Sequence, residues 1–315
     1  MIHEFAVDPA LLPKWRGRSS FDYWRSAFGL GQPRVVSAHP TAKAWRKLVR
    51  KALSDAAPTL EGLDQARVEG LVKLLTEEQP LVDRADQNRI IELGGWLESA
   101  LAAHRPQPFQ GVLTHREDRA EAAILQATDH PPEGPAWQLP STGPVARNAA
   151  DLVARLSPML RAARQLVIVD PYIDYHNRRF SQPLLALMDA HAVGGSDGVR
   201  IVHGEISNRE KPLTAEVHEA RFQRPANQWV PSFRDELPAG LGVQVAVVEQ
   251  QSGGERLHER FVLTELGGVG IPGGIDNGDP GETTPTNLLS EADWAHQWRC
   301  YGDPLAFRVL RRWTR

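Results

Sequence analysis

Apolar positions in this chain of 315 residues keep a helical spacing through the first half and a strand-like one through much of the second. Trp45, Leu48, Val49, Ala52 and Leu53 recur three and four apart behind Thr41, whose hydroxyl suits an N-cap. Leu71, Leu74 and Leu75 suggest another amphipathic helix, and Ile90, Ile91, Leu93, Trp96, Leu97 and Leu101 a third. Stretches 34–38 and 109–114 are short strand candidates. Residues 1–139 therefore read as a mainly helical N-terminal domain. No internal repeat or low-complexity tract interrupts it.

The stretch 129–144 holds five prolines and two glycines, so it cannot continue a helix and reads as a linker. Beyond it, strand and helix signals alternate, which predicts a sheet covered by helices over 145–315. Helices are expected at 148–161, 183–191 and 213–222. Strands are expected at 165–169, 199–203 and 243–248, the first a continuous apolar run ending in Asp170, Pro171 and Tyr172.

Composition narrows the picture. A net charge of −3 is no global nucleic-acid signature, so any basic surface must be local. One cysteine, Cys300, excludes an internal disulfide and fits a reducing compartment. With no partner cysteine, and no upstream histidine taken to stand at ligand spacing, neither metal nor cofactor is expected. The N-terminus lacks the pattern of a signal peptide, and no apolar stretch approaches the ~18 residues that span a bilayer. A cytoplasmic protein without a membrane partner is the expectation.

Candidate chemistry concentrates in 257–276, LHERFVLTELGGVGIPGGID. On a strand, alternate side chains share a face. His258 and Arg260 should then point one way, with Phe261 and Leu263 packing the other way. Glycines at 267 and 268 permit a tight turn, and a short return strand should follow at 269–271. Gly273 and Gly274 make a loop whose bare backbone can approach a ligand. An imidazole beside a fixed cation, facing free N–H groups, suits a phosphate ester.

In order, these residues read His258-x-Arg260-x4-Glu265, then Gly273-Gly274-x-Asp276. This resembles the phospholipase D superfamily, which has lysine and aspartate where Arg260 and Glu265 stand. Both changes keep the charge but alter the geometry, since arginine is a planar fork and lysine a point charge. The run 167–172 also resembles the first strand of such domains. The resemblance covers roughly the last half of the chain. It implies an α/β fold with a mixed sheet, and a phosphodiesterase that needs no metal, with nucleic acid as the favoured substrate. It implies His258 as nucleophile, Arg260 on the non-bridging oxygens and Glu265 in support, fixing the turn or an imidazole. Gly273, Gly274 and Asp276 would lie near the phosphate. Small members of this kind resemble nucleases of phage-defence systems, which implies possible protein partners there. Because the chemistry uses two histidines and only one motif is present, a homodimer is expected.

Other features carry both a functional and an ordinary reading. Lys43, Arg46, Lys47, Arg50 and Lys51 crowd the polar face of the 41–56 helix, with Lys14, Trp15, Arg16 and Arg18 nearby in sequence. They suit a phosphate backbone, or simply a solvated face. His176-Asn177-Arg178 repeats the spacing, but Pro183 stands where the acid belongs. His203 ends a predicted strand and could face the same cleft. His218 and Arg221 read as solvated helix residues. A serine triad lacks its glycine-flanked elbow, and no P-loop is present. The rival classes are a phospholipid phosphodiesterase and an inactive nucleic-acid-binding or scaffold subunit.

Overall fold

The computed structural model describes residues 1–84, 92–116, 121–128, 130–204, 231–302 and 306–315. The helix expected over 213–222, with His218 and Arg221, lies outside them, as do Ile90 and Ile91. The chain forms two compact units, Met1–Ser141 and Thr142–Arg315. No described helix is long and apolar enough to cross a membrane.

The first unit is α/β rather than mainly helical. Its strands are β1 (His3–Val7), β2 (Arg34–Ser37), β3 (Leu81–Val82), β4 (Gly111–Thr114) and β5 (Ile124–Gln126). They form one parallel sheet in the order β3-β2-β1-β4-β5. Its helices are α1 (Arg18–Ala27), α2 (Ala42–Ala56), α3 (Gly62–Lys73) and α4 (Trp96–His104). Strands β2 and β4 fall on the expected stretches 34–38 and 109–114, whereas β1, buried on both faces, loses the alternation that marks a strand, and β3 and β5 are too short to show one. On β1, Phe5 and Val7 pack into a cluster with Trp24, Trp45 and Trp137, while Ala6 packs into another with Trp96 and Val112. Thr41 does cap α2, its Oγ1 accepting the Ala44 N–H at 3.2 Å.

The second unit is also mixed α/β. Its strands are β6 (Thr142–Ala146), β7 (Gln165–Val169), β8 (Gly198–Gly204), β9 (Val243–Glu249), β10 (Phe261–Thr264), β11 (Gly267–Gly270), β12 (Thr283–Leu288) and β13 (Arg308–Thr314). Its helices among the described residues are α5 (Ala149–Ala162), α6 (Arg178–Ala192) and α7 (Glu291–Tyr301). The sheet order is β13-β9-β8-β7-β10-β11-β12-β6. Strands β7, β8 and β9 are parallel, and β10 runs antiparallel to β7. Phe261 and Leu263 pack with Val167, Val169, Cys300 and Tyr301, so α7 covers that face.

This topology places three chain segments together. The segment after β7 begins at Asp170, the segment before β10 carries His258 and Arg260, and the loop after β11 carries 271–276. Because β10 is antiparallel to β7, its N-terminal end meets the C-terminal end of β7, with Phe261 opposite Val169.

Candidate active site

His258 and Arg260 precede the strand instead of lying on it, since β10 begins at Phe261. Their positions are set by side-chain contacts. His258 is exposed, and its Nδ1 lies 2.8 Å from the Tyr172 hydroxyl. The two rings meet edge to face at 88°. Nε2 of His258 has no hydrogen-bond partner among the described residues.

Arg260 is held on three sides. Its Nη1 donates to the Pro272 carbonyl at 3.0 Å, and its guanidinium carbon stands 4.6 Å from the centre of the Tyr172 ring. Its Nε lies 3.9 Å from Asp170 Oδ1, a charge contact too long for a hydrogen bond. That Nε is buried without a hydrogen-bond partner.

Asp170 anchors the cluster. Oδ1 accepts the Tyr172 N–H at 2.9 Å and Oδ2 accepts the Ile275 N–H at 3.2 Å. One carboxylate thus ties the end of β7 to the glycine loop. Burial pushes its pKa up, against the lowering pull of those two N–H groups and of Arg260.

The remaining motif residues take structural places. Glu265 accepts the N–H groups of Arg164 and Gln165 at 2.6 and 3.0 Å, capping the start of β7. Six residues, 259–264, separate it from His258, and the four of them in β10 alone span roughly 13 Å at ~3.3 Å per residue. Glu265 therefore fixes a turn and does not touch the imidazole. The glycine N–H groups are already engaged, so they do not face a phosphate as expected. Gly273 donates to Thr284 Oγ1 at 2.9 Å and Gly274 to the Ile271 carbonyl at 3.0 Å. Glycine is needed for shape here. A Cβ on Gly273 would sit 2.7 Å from the Thr284 Cβ, and Gly274 has φ +108°. Asp276 is buried between two arginines, each at 2.5 Å, Arg147 on Oδ1 and Arg179 on Oδ2.

His203, at the end of β8, is buried beside Tyr175 with ring centres 5.1 Å apart. Its Nδ1 lies 2.8 Å from the Gly204 carbonyl and its Nε2 has no hydrogen-bond partner. Burial drives its pKa down to about 4, so it is neutral at physiological pH. His176 starts no second motif. Its N–H donates to Asp174 Oδ1 in the turn before α6.

No protein-family model matches this chain, and no curated protein matches it. Among solved structures, the archaeal chromatin protein TrmBL2, whose structure shows a novel mode of DNA binding, matches at 10% identity with a TM-score of 0.27. The match covers 54% of this chain and 53% of that one, so it spans about half of each. A likeness this weak carries no argument about fold or function.

The basic face of α2 lies in the first unit. Lys43, Arg46, Lys47 and Arg50 are exposed, but two of them have backbone partners. Arg46 Nε donates to the Thr76 carbonyl and Arg50 Nε to the Arg46 carbonyl. Lys47 and Lys51 line a cleft of about 950 Å³ together with Asp8, His115 and Arg116. The cleft opens at the C-terminal ends of β1 and β4, where the strand order reverses. In open parallel sheets that is the usual place for a ligand. Asp8 is buried there, accepting from Thr114 Oγ1 at 2.8 Å, with burial raising its pKa. No local motif marks this cleft, because its residues come from four separate segments.

Proposed function

We propose that the unit Thr142–Arg315 is a metal-independent phosphodiesterase of phospholipase D-like layout that cleaves DNA or RNA through a phosphohistidine. The observation that carries this reading is His258, exposed, with Nδ1 held by the Tyr172 hydroxyl and Nε2 left without a partner. In the reactive tautomer Nδ1–H donates to the phenol oxygen and the Nε2 lone pair attacks phosphorus. The N–P bond forms as the P–O bond to the leaving strand breaks. A second histidine protonates that oxygen, and water then hydrolyses the N–P bond. Arg260, two residues on, supplies positive charge where the oxygens gain negative charge. A homodimer supplies the second histidine from the other copy.

A specific observation supports a second reading, an inactive nucleic-acid-binding or scaffold subunit. Arg260 Nη1, Gly273 N–H and Gly274 N–H are all engaged by the protein itself, which leaves fewer donors for a phosphate. Incubating the full chain with DNA, RNA and phospholipid in excess chelator, beside His258→Ala, separates the readings. Cleavage of nucleic acid by the wild type alone supports the enzyme. Tight binding without cleavage supports the subunit, and cleavage of lipid alone redirects the substrate class.

A further inference from the structure

Glu255, His296 and Cys300 bring one ligand atom each to a common point on the α7 side of the sheet. The three atoms all lie within 4.8 Å of one another. His296 and Cys300 stand four apart on α7, so they share a helix face. Glu255 comes from the extended segment after β9, three residues before His258.

Two of the separations come close to the edges of a coordination polyhedron. His296 Nε2 is 3.7 Å from Cys300 Sγ and 3.2 Å from Glu255 Oε2. A tetrahedron with Zn–S of ~2.3 Å and Zn–N and Zn–O of ~2.0–2.2 Å has edges of about 3.3–3.6 Å. Hydrogen bonding alone serves the trio poorly. One imidazole nitrogen offers a single proton or a single lone pair, yet this one faces both a carboxylate and a sulfur. A cation at the shared focus engages all three. Thiolate, imidazole and carboxylate together suit zinc. Cys300 is 6% exposed and forms the floor, while the His296 and Glu255 side chains are 45% and 34% exposed and leave a fourth position open to water.

We propose that Glu255, His296 and Cys300 bind a zinc ion, completed by a water, which fastens the segment leading into His258 to α7. Binding replaces the Cys300 thiol proton, which passes to solvent. The role is structural, since none of the three residues belongs to the Asp170–Tyr172–His258–Arg260 cluster. His296 precedes Cys300 by one helical turn, a ligand spacing that the expectation of no metal site left out.

The test uses the full chain incubated with excess zinc, desalted, and analysed for metal by atomic emission. About one zinc per chain is expected in the wild type and in His258→Ala. His296→Ala, at a half-buried position, should fold normally by circular dichroism and bind zinc at least ~10-fold more weakly. Cobalt substitution should give a thiolate-to-cobalt charge-transfer band that Cys300→Ser loses. Wild-type protein that retains no zinc, or folded His296→Ala that retains as much as wild type, overturns the proposal. Neither result bears on the phosphodiesterase, which is read by activity.

Discussion

The Tyr172 hydroxyl and His258 Nδ1 lie 2.8 Å apart across 86 residues of chain, and this contact orients the only exposed imidazole of the 257–276 stretch. Tyr172 also carries Arg260 against its ring face, so one phenol positions both His258 and Arg260. Tyr172→Phe keeps the ring and removes the oxygen. A net hydrogen bond of about 1 kcal/mol corresponds to a ~5-fold loss, expected in kcat with KM little changed. An unchanged kcat would leave the phenol oxygen without a role in orienting His258.

His258→Ala should abolish phosphodiesterase activity, and Arg260→Ala should lower it by a factor of ~100 or more, the scale of losing one preorganised donor. Arg260 also ties Pro272 to the segment before β10, so Tm should be measured beside activity. A lower Tm with normal kcat would make Arg260 structural. Activity of the wild type should persist in excess chelator. A chelator effect that His296→Ala reproduces would report loss of the zinc fastening and not metal catalysis.

His203 makes stability depend on pH. Its folded pKa of about 4 lies below the ordinary 6.5 because burial disfavours the cation. A histidine depressed in this way contributes stability that is fully present above 6.5 and is lost as pH falls towards 4. The full window is worth ~3 kcal/mol. Urea unfolding at pH 7 and pH 4.5 should show that loss in the wild type, and a smaller one in His203→Leu. Equal losses in both proteins would remove His203 as the cause.

Much of the second unit was legible because its central strands are continuous apolar runs. Gln165–Val169 reads as a strand from its residues alone, and the faces expected for Phe261 and Leu263 are those observed. In the first unit β2 and β4 were legible, whereas β3, of two residues, was too short and β1 was hidden by burial on both faces. The motif located His258 and Arg260 but misplaced its polar partners. The arginines on Asp276 lie 129 and 97 residues away, and no local pattern announces such a pairing. Of the two supporting places expected for Glu265, the turn and an imidazole, it takes the turn, where its oxygens cap backbone N–H groups that only the β7–β10 pairing brings near. Glu255 likewise reaches α7 only through the fold.

For the basic face of α2, the structure sharpens which residues to change. Arg46 and Arg50 already have carbonyl partners, while Lys43 carries no such bond and Lys47 lines the cleft. If this face follows a duplex backbone, replacing Lys43 and Lys47 by glutamine should lower the slope of log K against log salt by ~0.9 per lost phosphate contact. Replacing Arg46 should cost stability as well. Fluorescence anisotropy with a labelled duplex over a salt series reads the slope. An unchanged slope leaves the face solvated.

The histidine count bears on assembly. A phosphohistidine mechanism needs an acid for the leaving oxygen, and His258 cannot serve as nucleophile and acid in the same step. Among the other described histidines of the unit, His203 is buried with a pKa of about 4 and so is not an imidazolium at neutral pH, His191 is buried between the Leu160 carbonyl and Ser196, and His296 lies on α7 with Glu255 and Cys300. His176 is placed in the turn before α6 with its backbone bound to Asp174. A two-fold dimer supplies the missing group directly, because an isologous interface sets the same residue of both copies across the axis. Light scattering should therefore give twice the chain mass. Adding His258→Ala chains in growing excess to wild type, with time to exchange, should drive activity per wild-type chain towards zero, since each mixed dimer lacks one of the two imidazoles. Activity per wild-type chain that stays constant under exchange, or a fully active monomer, would rule out the shared site.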